Sequence, residues 1–277
     1  MAYDDTNSFN HNSARRQRAL AGFIAAVSVA LGCISSVTFA GELHDAVRAQ
    51  DNAAVEALLA SGVEVDETDF VFGTALHVAV SEGNLEIAGI LIDHGADVEA
   101  ISEQQGSRAL HLAAQFGNAA MLALLLDSGA DIEARDGLQR TPIHRAATAG
   151  HAEAVRQLLD RGANVHAKDG KYGATPLHEA SHHGRLEVVK LLLEHGADIS
   201  AIDNSGLTAF RLAATPPSYS VIGDASLLEF LVAQGADPNA KGTSGMSALA
   251  YAKFHASEGS LAMREIVDIL RRLGATE

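Results

Sequence analysis

The chain has 277 residues, of which 47% are hydrophobic and only 5% are aromatic, and this is enough to bury a substantial core. Its formal net charge is −15, and because residues 1–40 contribute +1, residues 41–277 carry −16. Such an acidic body repels nucleic acid and anionic lipid surfaces, so we expect no nucleic-acid partner. We expect instead a protein partner with a basic or mixed surface, although acidity also serves solubility alone.

The first 40 residues are unlike the rest of the chain. Arg15, Arg16 and Arg18 precede a stretch without charge from Ala19 to Ala40. The stretch ends in Thr38-Phe39-Ala40, with small residues at the two positions that signal peptidase reads. This pattern is typical of a bacterial-type secretory signal cleaved before Gly41, and it predicts export of the remainder to the periplasm.

Other interpretations of residues 1–40 stay open. The uncharged stretch is long enough to span a bilayer as an uncleaved anchor, which would be the only membrane contact. Cys33 lies in a weak lipoprotein-like context, Arg15-Arg16 weakly suggests twin-arginine export, and a tail with an apolar helix packed on the array is the remaining alternative. Cys33 is the only cysteine, so cleavage after Ala40 would leave a protein without disulfides.

A regular repeat pattern begins after this segment. A histidine follows a leucine or isoleucine five times, and the intervals between these histidines differ by at most one position: His44, His77, His111, His144 and His178. A glycine follows each of these histidines at one constant interval: Gly62, Gly95, Gly129, Gly162 and Gly196. Two markers that stay in phase over five cycles, with a period of roughly 33 residues, indicate one small structural unit stacked many times.

The clearest unit predicts two short helices. Thr175 and Pro176 form a helix start, because threonine caps the first turn and proline is tolerated there. A second helix from Leu186 to His195 has an apolar stripe at helical spacing, and Gly196 ends it. Such a pair cannot bury its apolar side alone, so neighbouring copies must cover it.

These motifs resemble the ankyrin repeat family, and together with the leader an exported bacterial member of it. The residues that carry the resemblance are Thr141-Pro142-Ile143-His144, Thr175-Pro176-Leu177-His178, the inter-helix glycines Gly83, Gly117, Gly150 and Gly184, and the Gly-Ala-Asp steps at Gly95, Gly129, Gly196 and Gly235. The resemblance implies an all-α solenoid of seven helix-turn-helix units with short β-hairpin loops. It also implies a non-enzymatic monomer without cofactor or metal that binds a protein.

The expected organisation is a signal peptide or anchor at 1–40 and a repeat domain at 41–277. The expected repeats are 41–69 as N-terminal cap, 70–101, 102–136, 137–169, 170–203, 204–241 and 242–277 as C-terminal cap. Arg211 and Ala250 stand at the histidine position of the sixth and seventh repeats. In both repeats the step from this position to the closing glycine, Gly235 or Gly274, is longer than in the earlier repeats. The longer step predicts six extra residues between the two helices.

One motif suggests chemistry. His178-Glu179-Ala180-Ser181-His182 has the H-E-x-x-H spacing that holds catalytic zinc on a helix. The repeat register already explains His178, and no third ligand is evident, so we interpret His178 as structural. We therefore expect no catalytic residue and no metal site, with surface zinc at His182 and His183 as the weaker alternative.

The resemblance places partner contacts on the concave face and on the hairpin tips. The candidate partner-binding residues are Phe70, Phe72, Gln104, Phe116, Leu138, Arg140, Tyr172, His182 and His183. Large apolar side chains at these positions suggest a contact patch, although they equally suit packing back onto the array. The sequence thus predicts a protein-binding scaffold, with a secreted effector that acts on a host or competitor target as the alternative. We interpret the proline-containing insert at 216–224 as a tolerated insertion.

Overall fold

The computed structural model describes residues 41–69, 71–102, 106–215, 225–257 and 260–276. Within these ranges the chain forms helices that come in pairs, an inner helix and an outer helix for each of seven repeats. The pairs are α1 (Glu42–Arg48) with α2 (Asn52–Ala60), α3 (Ala75–Glu82) with α4 (Leu85–Asp93), α5 (Ala109–Phe116) with α6 (Ala119–Asp127), α7 (Pro142–Ala149) with α8 (Ala152–Asp160), α9 (Pro176–His182) with α10 (Leu186–Glu194), α11 (Ala209–Ala213) with α12 (Ala225–Ala233), and α13 (Ala248–Ser257) with α14 (Leu261–Arg272).

The inner helices begin at the residues that the sequence motifs indicate. Thr141 and Thr175 are the N-cap residues of α7 and α9, and proline follows each of them. The inner helices α3, α5 and α7 end at glycines with positive φ, which is +90° at Gly150. A residue with a side chain is strained in this left-handed conformation, so these glycines allow the sharp turn into the outer helix.

The core runs through the array as a stack of equivalent side chains. Each inner helix contributes one large apolar residue at the position before the repeat histidine, and these residues are at most 2% exposed: Leu43, Leu76, Leu110, Ile143, Leu177, Phe210 and Leu249. Burying one such side chain contributes about 1.5–3 kcal/mol. Each of them packs in a continuous cluster with its neighbours, so one repeat completes the core of the next.

The loops between repeats contain little strand. In the described residues, the paired strands are β1 (Thr68–Asp69) and β2 (Gly73–Thr74), and a single bridge joins Lys241 to Ser247. Elsewhere an aspartate closes the turn. The carboxylate of Asp136 accepts the backbone N–H groups of Leu138 and Arg140 at 2.8 and 2.9 Å. These connections are therefore mostly tight turns.

Successive turns are joined by backbone hydrogen bonds. The N–H of Gly170 donates to the carbonyl of Leu138 at 3.1 Å, and the N–H of Asn204 donates to the carbonyl of Tyr172 at 2.7 Å. Thr243 donates in the same way to the carbonyl of Ser205 at 2.8 Å. The turns therefore form one connected edge, which we call the hairpin edge.

The irregular repeats differ from expectation in one respect. In the seventh repeat α13 has 10 residues and α14 has 12, against 8 and 9 in the second repeat. Most of the extra residues thus lengthen the helices, and the expectation that they all lie between them is wrong for this repeat. The insert of the sixth repeat at 216–224 and the leader at 1–40 lie outside the described residues. None of the helices in the described ranges has the length and apolar character needed to cross a membrane.

Candidate binding face

The repeat histidines are structural and join each repeat to the next. All five are buried, and each places Nε2 near a backbone carbonyl of the following repeat. The distances are 2.9 Å from His44 to Gly73, 3.1 Å from His77 to Ser107, 3.0 Å from His111 to Arg140, 3.1 Å from His144 to Ala174 and 3.1 Å from His178 to Leu207. We call this set the histidine ladder.

In four of these rings a backbone N–H donates to Nδ1 and so fixes which ring nitrogen carries the proton: His77, His111, His144 and His178. The backbone N–H of Thr141 donates to Nδ1 of His144 at 3.2 Å, so Nδ1 is an acceptor and Nε2 carries the proton that is donated to Ala174. A second proton on Nδ1 would face this N–H group inside the core. Burial lowers the pKa of His144 to about 4 and that of His111 to about 4. His111 and His144 are therefore neutral at physiological pH.

The same geometry accounts for the H-E-x-x-H motif. His178 uses Nδ1 for the backbone N–H of Thr175 at 3.1 Å and Nε2 for the carbonyls of Ala201 and Leu207 at 3.0 and 3.1 Å. Both ring nitrogens are therefore engaged by the protein, which supports the structural interpretation of His178. Among the residues that the structure describes, no cluster of three or more histidine, cysteine or carboxylate side chains is arranged to hold a metal.

The sixth repeat departs from the ladder. Arg211 replaces the histidine and is also buried. Its guanidinium carbon lies 4.3 Å from the ring centre of Tyr251 in the seventh repeat, and burial lowers the pKa of Arg211 to about 10. The guanidinium is therefore still charged at neutral pH, and a cation–π contact takes the place of the histidine bond at this junction.

The inner helices share one exposed face, and its middle is polar. On α7, Arg145 is buried and its Nε donates to Asp136 at 2.8 Å, while Nη1 donates to the side chain of Gln115 at 2.9 Å. Burial alone would raise the pKa of Asp136. The N–H of Arg140 and the charge of Arg145 outweigh this effect, so the pKa lies below its usual value. The pair ties the third repeat to the fourth.

A second polar group on this face joins the fourth and fifth repeats. The Thr148 hydroxyl lies 3.1 Å from Oε2 of Glu179, and Nε2 of His183 lies 3.8 Å from the same oxygen. Burial raises the pKa of Glu179. Burial and then the charges of His182, Arg185 and Arg140 lower the pKa of His183 to about 4. Because these side chains contact one another, we infer that they have a structural role in this part of the face.

The structure exposes some predicted contact residues and not others. Phe72, Phe116 and Leu138 are 39%, 48% and 43% exposed, on the second, third and fourth repeats. Tyr172 and Arg140 are half-buried.

The exposure expected of His182 is wrong, because only 9% of this residue is accessible. Its ring packs edge-on against that of His183, with the centres 5.1 Å apart, and His183 is itself only partly exposed. Phe70 and Gln104 lie outside the described residues.

Sequence reasoning missed several residues of this face. Arg145 and Glu179 stand at the register position that Val78 and Leu112 occupy in the two preceding repeats. The change from apolar to charged side chains between successive repeats was the signal that could have revealed the buried network. The exposed Ile101 and Ile202, at 53% and 52%, were also missed, because an isoleucine before a turn reads as a core residue.

With this geometry established, comparison with known proteins identifies the class. The profile of ankyrin repeats, described as three copies, matches residues 43–136 and 134–203, which is more than half of the chain. The protein therefore belongs to the ankyrin repeat family, whose domains generally mediate protein–protein interaction and are non-enzymatic.

Solved structures agree with this membership. The ankyrin repeat domain of Bcl-3, described as a unique member of the IkappaB protein family, is 32% identical, with a TM-score of 0.66, and the match covers 84% of this chain and 98% of that one. The ankyrin repeat domain of human ASB11 is 26% identical, with a TM-score of 0.72 and coverage of 86% and 100%. A comparison with curated proteins gave no match.

Proposed function

We propose that this protein is an exported interaction scaffold that binds a partner protein through the inner-helix face and the hairpin edge. The observation that carries the proposal is the exposure of Phe72, Phe116 and Leu138 on three successive repeats, at 39%, 48% and 43%. Large apolar side chains that face water on one side of a repeat array are typical of a protein contact.

The proposed export rests on the leader. Three arginines before an uncharged stretch that ends in Thr38-Phe39-Ala40 are typical of a secretory signal. When the outer membrane is permeabilised and the inner membrane is left intact, added protease should digest the array. Amino-terminal sequencing of the mature protein should begin at Gly41. Digestion only after lysis of the inner membrane would contradict export.

Cross-linking of the tagged chain in intact cells, followed by mass spectrometry, tests partner binding. The double variant Phe116→Ala with Tyr172→Ala should lose the cross-linked partner and keep the thermal melting curve of the wild type. Leu85→Ala is the matched control, because Leu85 is 41% exposed but lies on the outer helix α4. A partner captured equally by both variants would show that Phe116 and Tyr172 do not form the contact.

A further inference from the structure

One row of side chains on the hairpin edge has a composition unlike the rest of the molecule. It consists of one residue at or next to the end of each repeat from the second to the sixth, just before the turn into the following repeat: Ile101, Arg135, Lys168, Ile202 and Lys241. All five are exposed, and none is acidic, although residues 41–277 carry a net charge of −16. We call this set the hairpin row.

The two central cations of the hairpin row are held in place by backbone carbonyls. Nη1 of Arg135 donates to the carbonyls of Gln139 at 2.8 Å and Lys168 at 3.0 Å. Nζ of Lys168 donates to the carbonyl of Ile202 at 3.1 Å. Each cation thus reaches the backbone of the next repeat, so the row is a connected feature with ordered side chains.

These contacts order the cations without neutralising them. Neither Arg135 nor Lys168 forms an ion pair with a carboxylate in the described part of the chain, whereas Arg108 pairs with Glu99 at 2.8 Å. Lys171, three residues after Lys168, is a further exposed cation outside the row, and its Nζ lies 4.6 Å from the ring centre of Tyr172. Ordered charges lose little conformational entropy on binding, which favours an anionic ligand here.

The carboxylates nearest the hairpin row in sequence either accept backbone N–H groups of their own turns or lie near one end of the row. Asp136, Asp169 and Asp203 lie beside the row, but they are buried and their carboxylates accept backbone N–H groups of their own turns. Two residues before the five row positions, the chain has Glu99, Glu133, His166, Ser200 and Asn239. Among these five residues, carboxylates thus occur only in the second and third repeats, and the row is most basic at Lys168.

The geometry points to an extended acidic segment of the partner protein as the ligand of the hairpin row. Its carboxylates would lie opposite Arg135 and Lys168, and its apolar side chains opposite Ile101 and Ile202. This inference rests on the proposed scaffold function and specifies the chemistry of the partner. It also reverses the expectation from composition, because the acidic body presents a basic edge.

The spacing of the repeats predicts the register of the bound segment. Packed helices lie about 8–10 Å apart, and an extended chain advances about 3.3 Å per residue. The segment therefore advances about three residues per repeat, so apolar, acidic, acidic and apolar residues should recur at every third position. A protein segment fits better than nucleic acid for two reasons. Ile101 and Ile202, which flank Arg135 and Lys168 in the row, are apolar, and the acidic body of the protein repels a polyanion.

A designed peptide tests the inference on the full chain. The probe is a fluorescein-labelled decapeptide with leucine at both ends, glutamate at its fourth and seventh positions, and serine or glycine elsewhere. Fluorescence anisotropy should show that it binds roughly tenfold more tightly than the same peptide with lysine for glutamate, and that salt weakens the binding. A peptide with the two glutamates moved to adjacent positions should bind more weakly.

Charge reversal supplies the matched variants. Lys168→Glu should weaken binding of the acidic peptide roughly tenfold and improve binding of the lysine peptide. Arg156→Glu makes the same change in net charge on the exposed side of α8 and should leave both affinities unchanged. Lys168→Gln gives a smaller loss and serves as the second variant, and the melting curve of each variant shows that it folds.

Three results would overturn the inference. These are equal binding of the glutamate and lysine peptides, equal effects of Lys168→Glu and Arg156→Glu, and tighter binding of a DNA oligonucleotide than of the acidic peptide. The scaffold function fails separately, if cross-linking captures no partner. A captured partner whose binding Lys168→Glu leaves unchanged would preserve the scaffold function and refute the role of the hairpin row.

Discussion

Mild acid should destabilise this protein through the histidine ladder. An unfolded histidine has a pKa of about 6.5, whereas burial lowers the pKa of His111 and of His144 to about 4. Between these values the unfolded chain binds protons that the folded chain does not. The contribution of each ring to stability is therefore complete above pH 6.5 and is lost as the pH falls towards 4.

The magnitude follows from the size of the shift. At pH 5, each of these two rings lowers the free energy of unfolding by about 2 kcal/mol relative to neutral pH, and together they lower it by about 4 kcal/mol. Burial also lowers the pKa of His77 and His178, which adds to the loss in the same direction. Since a domain is stable by only about 5–15 kcal/mol, the loss at pH 5 should be easy to measure.

Urea denaturation at pH 7.5 and pH 5 is the assay. His144→Gln keeps an amide that can donate to the carbonyl of Ala174 but does not titrate. The loss of unfolding free energy between pH 7.5 and pH 5 should therefore be about 2 kcal/mol smaller in this variant than in the wild type. His166→Gln is the control, because His166 is exposed on a loop, and it should keep the wild-type pH dependence. If His144→Gln loses as much stability between pH 7.5 and 5 as the wild type, the reasoning is refuted.

Two further predictions concern stability and are measured by the same denaturation assay. Asp136→Ala leaves Arg145 buried without its carboxylate and should cost about 3–5 kcal/mol. Arg145→Leu introduces the residue found at Leu112 and leaves Asp136 with Arg140 and the N–H groups of its turn, so it should change stability by less than about 1 kcal/mol. Equal losses in the two variants would contradict the asymmetry. Gly129→Ala places a Cβ in open space at φ +91° and should cost about 1 kcal/mol. Gly106→Ala should cost at least about 1 kcal/mol more, since its Cβ would lie 2.9 Å from the backbone nitrogen of Gly137, and a smaller loss than in Gly129→Ala would contradict the contact.

The repeat architecture was predictable from the sequence because its markers are local. The Thr-Pro start at Thr175, the histidine three positions later and Gly196 after the second helix each have a fixed role within one unit. The structure confirms all three, with Thr175 as N-cap and Gly196 at φ +84°. Local chemistry that recurs with a period of roughly 33 residues leaves little freedom for the fold.

The surface was less predictable, because exposure depends on neighbouring repeats. His182 reads as an exposed residue at the end of a helix, but its ring packs against His183 and is buried. Arg135 and Lys168 read as ordinary loop cations, and only the structure shows that each reaches a carbonyl of the next repeat. Burial and hydrogen bonding in the folded array determine the exposure of His182 and the positions of the two cations, and the sequence pattern of a single repeat does not reveal them.

The substitution at Arg211 gives the array two kinds of junction. The first five are bridged by histidines, and burial lowers the pKa of four of them, so that their protonation opposes folding: His77, His111, His144 and His178. The sixth is bridged by a guanidinium that is already cationic and contacts the ring of Tyr251. Acidification should therefore loosen the molecule unevenly. The final two repeats stay docked to one another while their attachment to the remainder weakens, so the carboxyl-terminal end separates as a pair.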